Sequence, residues 1–490
     1  MRAPRPKSGR AATAAPALSV RLVGHVALDV QPSGDVIARF ADFSIGLGRV
    51  SATAADRVRQ LRSGLPLDSF ASRRPTDRDI DLLVRRLAAR GLVEYGLGRP
   101  RGGAEQKIVI EPQMPDYWPR TPRLRDSDTL VLSRFAYLRR RAGEMVLESP
   151  RAGALFKISD PKVAALLAVL ATPHRIKQLR RQPGFPGLTL LALLVDCKIL
   201  FKVGASDLGL RPTEGDESLV LWDFHDLLFH ARSNEGRHAN PSGGVYPYVG
   251  TIAELPAVRP SWPGRTIDLR PLSAAAAAPP SPLAELLRVR HSTREFDEQR
   301  PITLAELAQF LDRVARVQSE QSNTLDLGGG DMELTYTVRP YPSAGAAYEL
   351  ELYLAVDRCD GLPRGFYHYD AGAHTLTPIE VRGAELDAAL DAATLAMGTT
   401  GKPQILITIA ARFGRLSWKY SSIAFALILK DVGVLLQSFY LMATDMGLGG
   451  CAVGSTNIEQ FAKMTGIAFH IEGSVGQFAL GRGAAPARSG

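Results

Sequence analysis

The stretch RPSWPGRTIDLRPLSAAAAAPPSP, residues 259–282, constrains the architecture more than any other part of the chain. Its prolines fix φ and withhold backbone donors, and its alanine run offers nothing large to bury, so it reads as a linker. What precedes it and what begins near Ser281 are therefore expected to fold separately. At 490 residues the chain is in any case too long for one core. Composition only sets bounds. With 45% hydrophobic and 22% charged residues the chain has the make-up of an ordinary globular protein. The net charge of +9 permits an anionic partner, but Arg2, Arg5, Lys7 and Arg10 supply part of it from a Pro- and Ala-rich tail, 1–20, that reads as disordered. No apolar segment follows the tail as a secretory signal requires. No uninterrupted apolar run reaches the roughly 18 residues of a membrane span. LTLLALLVDCKILFKV comes nearest and is broken by Asp196 and Lys198. Cys197, Cys359 and Cys451 are odd in number and lack metal spacing, which suits a reducing cytoplasm.

Ahead of the linker one plan is used twice. In the first module, 21–110, strand-like VRLVGHVALDV and DVIARFADF precede a helix, DRDIDLLVRRLAARG, with a capping-box pattern at Thr76 and Asp79. In the second, 125–205, FAYLRRR, EMVLESP and ALFKIS precede a helix capped by Asp160 with Pro161 at its first position; LTLLALLVD and KILFKV follow. Both segments read as winged-helix-like. Arg85, Arg86 and Arg90 are the candidate DNA-reading cations of the first, but the last helix of the second carries none. A DNA reader needs several phosphate contacts. An extended peptide held by strand addition is the better fit, and no nucleic acid or membrane partner is expected. Residues 206–280 form a connecting segment with His225, His230 and His238, whose spacings of five and eight do not share a helix face as zinc ligands usually do. They read as packing and surface histidines.

The last unit, 281–486, mixes capped helices with alternating strands, an α+β pattern. Ser281 and Pro282 open a helix ending in Arg290, His291, Ser292 and Arg294, a set suited to a phosphate. A basic helix end favoured by the macrodipole explains it equally well. Thr303 and Glu306 form a capping box, with Leu304, Leu307, Phe310, Leu311 and Val314 on one core-facing stripe. Pro342-Ser343-Ala344-Gly345 is either a plain turn or a place where backbone approaches a flat ligand. Lys419-Tyr420 precedes a long apolar helix that Ser421 or Ser422 can cap. At that helix N-terminus the dipole would favour proton loss from either group, and consecutive side chains diverge by about 100°. The pair is an acid/base apparatus or simply a solvated amine beside a half-buried phenol. GLGGCAVGSTN reads as a glycine-dense loop, and SVGQFALGRG as a strand delivering Arg482.

RHSTREFD, PSAG, KY and GLGGCAVGS stand here in the order of the nitroreductase-like flavoproteins, and the KY pair with FHDLLFHARSNEGRH resembles the SagB-type peptide dehydrogenases, azoline oxidases of thiazole/oxazole-modified peptide clusters. The resemblance covers about 221–483. It implies a central, mainly antiparallel sheet flanked by helices, a homodimer with FMN at the subunit interface, and winged-helix modules like leader-peptide recognition elements. It also implies that Arg290, His291, Ser292 and Arg294 hold the FMN phosphate and ribityl chain, with Arg482 as a second phosphate cation. Ser343, Ala344 and Gly345 would approach the isoalloxazine, and Gly449, Gly450 and Gly454 would line its redox-active side. Lys419 would be the base that takes a proton from the azoline, with Tyr420 assisting. The implied partners are a precursor peptide and the cyclodehydratase of a synthetase complex. Two other readings compete: an NAD(P)H-dependent FMN nitroreductase or quinone reductase, and a non-catalytic peptide- or DNA-binding regulator on a degenerate flavin fold.

Overall fold

The computed structural model describes residues 17–40, 43–72, 74–98, 108–204, 217–240, 242–261, 263–275, 281–326 and 331–484. Most of the expected tail and residues 276–280 lie outside these. The tail ends earlier than expected, because residues 17–20 already belong to the strand Ala17–Leu22. The chain divides into two units. The first runs to Arg232 and takes in Gly236–Ala239; the second comprises Ser233–Glu235 and everything from Asn240. The connecting segment is thus shared between them.

In the first unit the two expected modules are fused. Ile108–Pro112 pairs antiparallel with Ala154–Ile158, Ile110 opposite Phe156, and joins both modules into one seven-stranded sheet. A single core including Val20, Phe70, Leu83, Tyr95, Phe156 and Leu191 runs through them. Asp160 caps its helix as expected, accepting from the Lys162 N–H at 3.0 Å. The Thr76 helix differs: it starts at Pro75, and Asp79 accepts from the Ser51 N–H at 2.9 Å, serving a neighbouring helix start instead of its own. The three candidate DNA-reading arginines are engaged inside the unit. Arg85 meets Asp81 at 2.9 Å and covers the Trp118 ring, Arg86 donates to the Leu47 carbonyl, and Arg90 donates to the Arg86 carbonyl. His230 is buried and stacked on Trp222.

The second unit is built on α1 (Pro282–Val289), α2 (Leu304–Val314), the hairpin β1 (Ser319–Asp326) and β2 (Asp331–Val338), β3 (Leu350–Val356), β4 (Gly365–Asp370), β5 (Thr375–Ile379), α3 (Gly383–Met397), β6 (Ile405–Arg412), α4 (Phe413–Ser417), α5 (Ala424–Asp445), β7 (Gly449–Val453), α6 (Ile458–Thr465) and β8 (Glu472–Gly481). A six-stranded sheet in the order β5-β4-β3-β6-β8-β7 is antiparallel throughout. Helices cover both faces. On one, Phe439 of α5 meets Phe310 of α2 and Phe478 of β8, each pair of ring centroids 5.4 Å apart. On the other, Leu390 of α3 and Phe461 of α6 pack on Tyr353 and Leu406. Ser281 and the Thr303–Glu306 box cap α1 and α2 as their sequences require. By length and composition α5 could cross a membrane. The charged Lys430–Asp431 interrupts it, and Phe425, Ile428, Leu435 and Phe439 bury one face of it in the core.

Candidate functional site

Two clusters of candidate residues form in the second unit, both organised by α5. The first gathers around Tyr440. The Thr293 N–H donates to the Gly450 carbonyl at 2.8 Å, laying the segment after α1 along β7. Ser292 Oγ lies 2.9 Å from the Tyr440 hydroxyl, which accepts from the Ala452 N–H at 2.8 Å, and the Arg290 guanidinium sits over the Tyr440 ring. His291 is exposed, and its Nδ1 donates to the Val289 carbonyl at 3.2 Å, so Nε2 is the ring atom left for a ligand. Arg294 is exposed beside the Cys451 thiol, whose pKa burial pushes up and Arg294 partly restores. Neither Arg290 nor Arg294 has a carboxylate partner among the described residues. Two guanidiniums, a hydroxyl and an imidazole without a counter-ion suit a phosphate monoester.

The glycines of this cluster are not in a loop. Gly449 and Gly450 open β7 and pair with Gly481 and Leu480. A Cβ on Gly449 would run into the Thr293 side chain, and one on Gly450 into the Phe478 ring. Their lack of side chains lets the Arg290–Arg294 segment and the sheet close together, and it does not create a glycine nest. Arg482 is also used differently. Its Nη2 donates to both carboxylate oxygens of Glu306, at 2.7 and 2.9 Å, tying the end of β8 to the start of α2. As a phosphate cation it would first have to leave that pair.

The second cluster lies at the other end of α5. Asp431 and Tyr440 are nine residues apart, or about 13 Å along the helix at 1.5 Å per residue. The Ser343–Gly345 turn is held from below. Asp431 Oδ2 accepts from Ser343 Oγ at 2.9 Å and from the Ala344 N–H at 2.8 Å. Gly345, Ala346 and Tyr348 all have positive φ, 55°, 54° and 47°. For the two non-glycine residues this is strained backbone, the kind that concentrates at functional sites.

Lys419 and Tyr420 face this turn, but not from the N-terminus of α5. That helix begins at Ala424 with Ile423 as its N-cap and no side-chain cap. Ser422, at φ 66°, bends the chain just before it. Lys419 and Tyr420 instead close α4, both N–H groups donating to the Leu416 carbonyl at 3.0 Å. The dipole argument therefore does not apply, and the two side chains converge instead of diverging. Lys419 Nζ donates to the Gly345 carbonyl at 3.1 Å and lies 5.5 Å from the Tyr420 ring centroid. A Cβ on Gly345 would strike both the Tyr420 hydroxyl and Lys419 Nζ. Here glycine is required twice, by conformation and by close approach. Arg415 fixes α4 in place, donating to the Ala347 carbonyl at 3.0 Å and the Thr335 carbonyl at 3.1 Å. Asp431, Tyr440 and Arg415 are the functional candidates that the sequence reading missed. Only Asp431 carried a signal: a carboxylate inside an apolar helix must find partners.

A cavity of about 570 Å³ opens at the end of β7, lined by Gly454 and Ser455, Thr408 and Gln477 of the sheet, and Ala392 of α3. Of the expected site residues only Gly454 reaches it, so a single chain gathers the candidates into separate clusters.

The chain matches the nitroreductase family model over residues 287–482 and the model of cyanobactin oxidase ThcOx over residues 130–239. Over 173 residues it is 31% identical to a Methanocaldococcus jannaschii protein assigned as a nitroreductase, covering 35% of this chain and 78% of that relative. Among solved structures it resembles a protein assigned as a nitroreductase from Ralstonia eutropha at 23% identity, over 46% of this chain and 88% of that one, with a TM-score of 0.32. The E. coli microcin synthetase McbBCD complex with truncated pro-MccB17 bound is similar at 17% identity, over 58% of this chain and 100% of that one, with a TM-score of 0.38.

Proposed function

The chain belongs to the nitroreductase family and is an oxidoreductase, and from that premise we propose that it is an FMN-dependent azoline oxidase. In this reading it turns thiazolines or oxazolines of a ribosomal precursor peptide into thiazoles or oxazoles. The observation that carries the proposal is the occurrence of the cyanobactin-oxidase match and the nitroreductase match on one chain. Arg290, His291, Ser292 and Arg294 would hold the FMN phosphate, since neither guanidinium has a carboxylate partner among the described residues and His291 keeps Nε2 for a ligand. Ser343–Gly345 and Gly454 would border the ring. When bound, FMN supplies the two-electron acceptor that no side chain provides.

The protein's own task is to remove a proton from the heterocycle carbon. The lone pair of Lys419 Nζ takes it, and the amine can keep its contact to the Gly345 carbonyl because a neutral amine retains N–H donors. The Tyr420 hydroxyl beside the same glycine orients the ring. A second copy of the chain would bring the separate clusters into one site. Apolar surface is available for it: Leu283 and Leu287 on α1, which buries no residue, together with Ile423 and Val434, are exposed. The modified peptide and the cyclodehydratase that forms its azolines would be the remaining partners.

The test is incubation with an azoline-bearing peptide, which should lose about 2 Da per ring. Lys419→Ala should keep its flavin and oxidise about 10²–10⁴-fold more slowly. Full turnover by that variant with flavin bound would sink the assignment of the base.

A further inference from the structure

Beneath the Ser343–Gly345 turn two acidic side chains meet where neither is exposed, Glu349 at 0% and Asp431 at 6%. Ser343 Oγ stands between them, 2.9 Å from Asp431 Oδ2 and 3.3 Å from Glu349 Oε2, and it accepts the Tyr348 N–H at 3.0 Å. A hydroxyl has one hydrogen to give. The shorter contact, to Asp431 Oδ2, takes that hydrogen, and the Ala344 N–H converges on the same oxygen. For the Glu349 contact to be a hydrogen bond as well, Glu349 must donate, and it can do so only as the protonated acid. Its other oxygen, Oε1, is buried with no hydrogen-bond partner, as suits a neutral carboxyl better than a carboxylate.

We infer that Glu349, Ser343 and Asp431 form a one-proton clamp whose function is to position Lys419: with the proton on Glu349 the turn is held and presents the Gly345 carbonyl to Nζ, and without it the clamp opens. Glu349 and Asp431 are positioning residues, not catalytic ones, and the assignment rests on the azoline-oxidase reading only for its consequence on the reaction. Burial, and then the charge of Asp431, push the Glu349 carboxyl up to about 7 against the opposing pull of its own backbone N–H. Other charged or titratable groups surround the clamp. The Arg412 N–H donates to the Glu349 carbonyl while its side chain reaches Glu351, and Arg339 lies over Tyr348 and donates to the Leu350 carbonyl. Arg415 and Lys419 engage the turn's carbonyls, and Tyr341 is buried alongside, its phenol raised by burial. None of these makes a hydrogen bond to Glu349 Oε1 that could replace the proton.

The experiment reads the clamp on the full-length protein without substrate. Amide exchange of Ala344 and Tyr348, corrected for intrinsic rates, should lose about tenfold protection as pH rises through the Glu349 transition, the effect of one lost hydrogen-bonded contact. The infrared carbonyl band of a protonated acid should fade over the same range. Glu349→Gln, which keeps shape and a donor, should abolish both the band and the pH dependence of protection. Asp431→Asn, which keeps the acceptor and removes the charge, should move the transition to lower pH. In turnover, the wild-type kcat should fall over this pH range with KM unchanged, and Glu349→Gln should lack that limb. Wild-type protection independent of pH, or an acid band that survives in Glu349→Gln, overturns the clamp. A clamp that behaves as described in a protein that oxidises no azoline leaves it standing and removes the reaction instead.

Discussion

Gly345→Ala separates positioning from stability at the proposed base. The residue sits at φ 55°, so an alanine there costs about 1–2 kcal/mol of backbone strain, offset by about 0.4–1 kcal/mol from a less flexible unfolded chain. The new methyl would meet the Tyr420 hydroxyl and Lys419 Nζ, both ends of flexible side chains. They can swing away at little cost, giving up the Nζ contact to the Gly345 carbonyl, worth about 0.5–1.5 kcal/mol. The stability loss should therefore stay near 1–2 kcal/mol, a fall in Tm of a few degrees at about 2–4 °C per kcal/mol. Catalysis should suffer far more, because a base displaced by about 1 Å can cost 10²-fold. Steady-state oxidation of an azoline peptide followed by mass, with flavin content by absorbance and Tm by thermal shift, measures all three. Gly398→Ala is the control. That residue also has positive φ, 69°, ending α3, but a Cβ there meets nothing within 4 Å. It should lower Tm by a similar amount and leave kcat alone. The reasoning fails if Gly345→Ala turns over within twofold of the wild type, or if Gly398→Ala slows turnover equally.

The other expectations concern the proposed phosphate end. Arg290→Ala and Arg294→Ala should each weaken FMN by about 10–100-fold, the loss of a charge-assisted hydrogen bond, while leaving riboflavin affinity unchanged; equal weakening of both ligands in a fluorescence titration would reject a phosphate role. Tyr440→Phe strips the Ala452 N–H of its acceptor and Ser292 of its partner, so it should cost about 1–3 kcal/mol in thermal or urea unfolding and raise the FMN Kd as well. An unchanged Kd would confine Tyr440 to the fold.

What was legible in the sequence was local. Asp160, Ser281 and the Thr303–Glu306 box need only three or four neighbouring residues to act as caps, and they act as read. Where the partner is remote, residue type alone misleads. The glycines at 449 and 450 look like a loop until the Thr293 and Phe478 side chains that fill their space are known, 156 and 28 residues away (449 less 293, 478 less 450). Arg482 looks like a free cation until Glu306 is found 176 residues upstream. The hairpin β1–β2, largely polar in SEQSNTLD, lacks the one-sided apolar alternation that announces a strand. The same rule explains why the Lys419–Tyr420 pair was found and its support was not. A basic residue beside an aromatic one is visible as letters. The reason the pair converges is Gly345, 74 residues earlier, and the reason Gly345 is there is Asp431, 87 residues after Ala344. A reactive side chain can thus be proposed from sequence, but its geometry belongs to residues that chemistry alone would not select. One trace of that geometry is visible in the sequence: Asp431, a carboxylate set among the apolar residues of α5, has to be held by something, and the turn it holds is the one that meets Lys419.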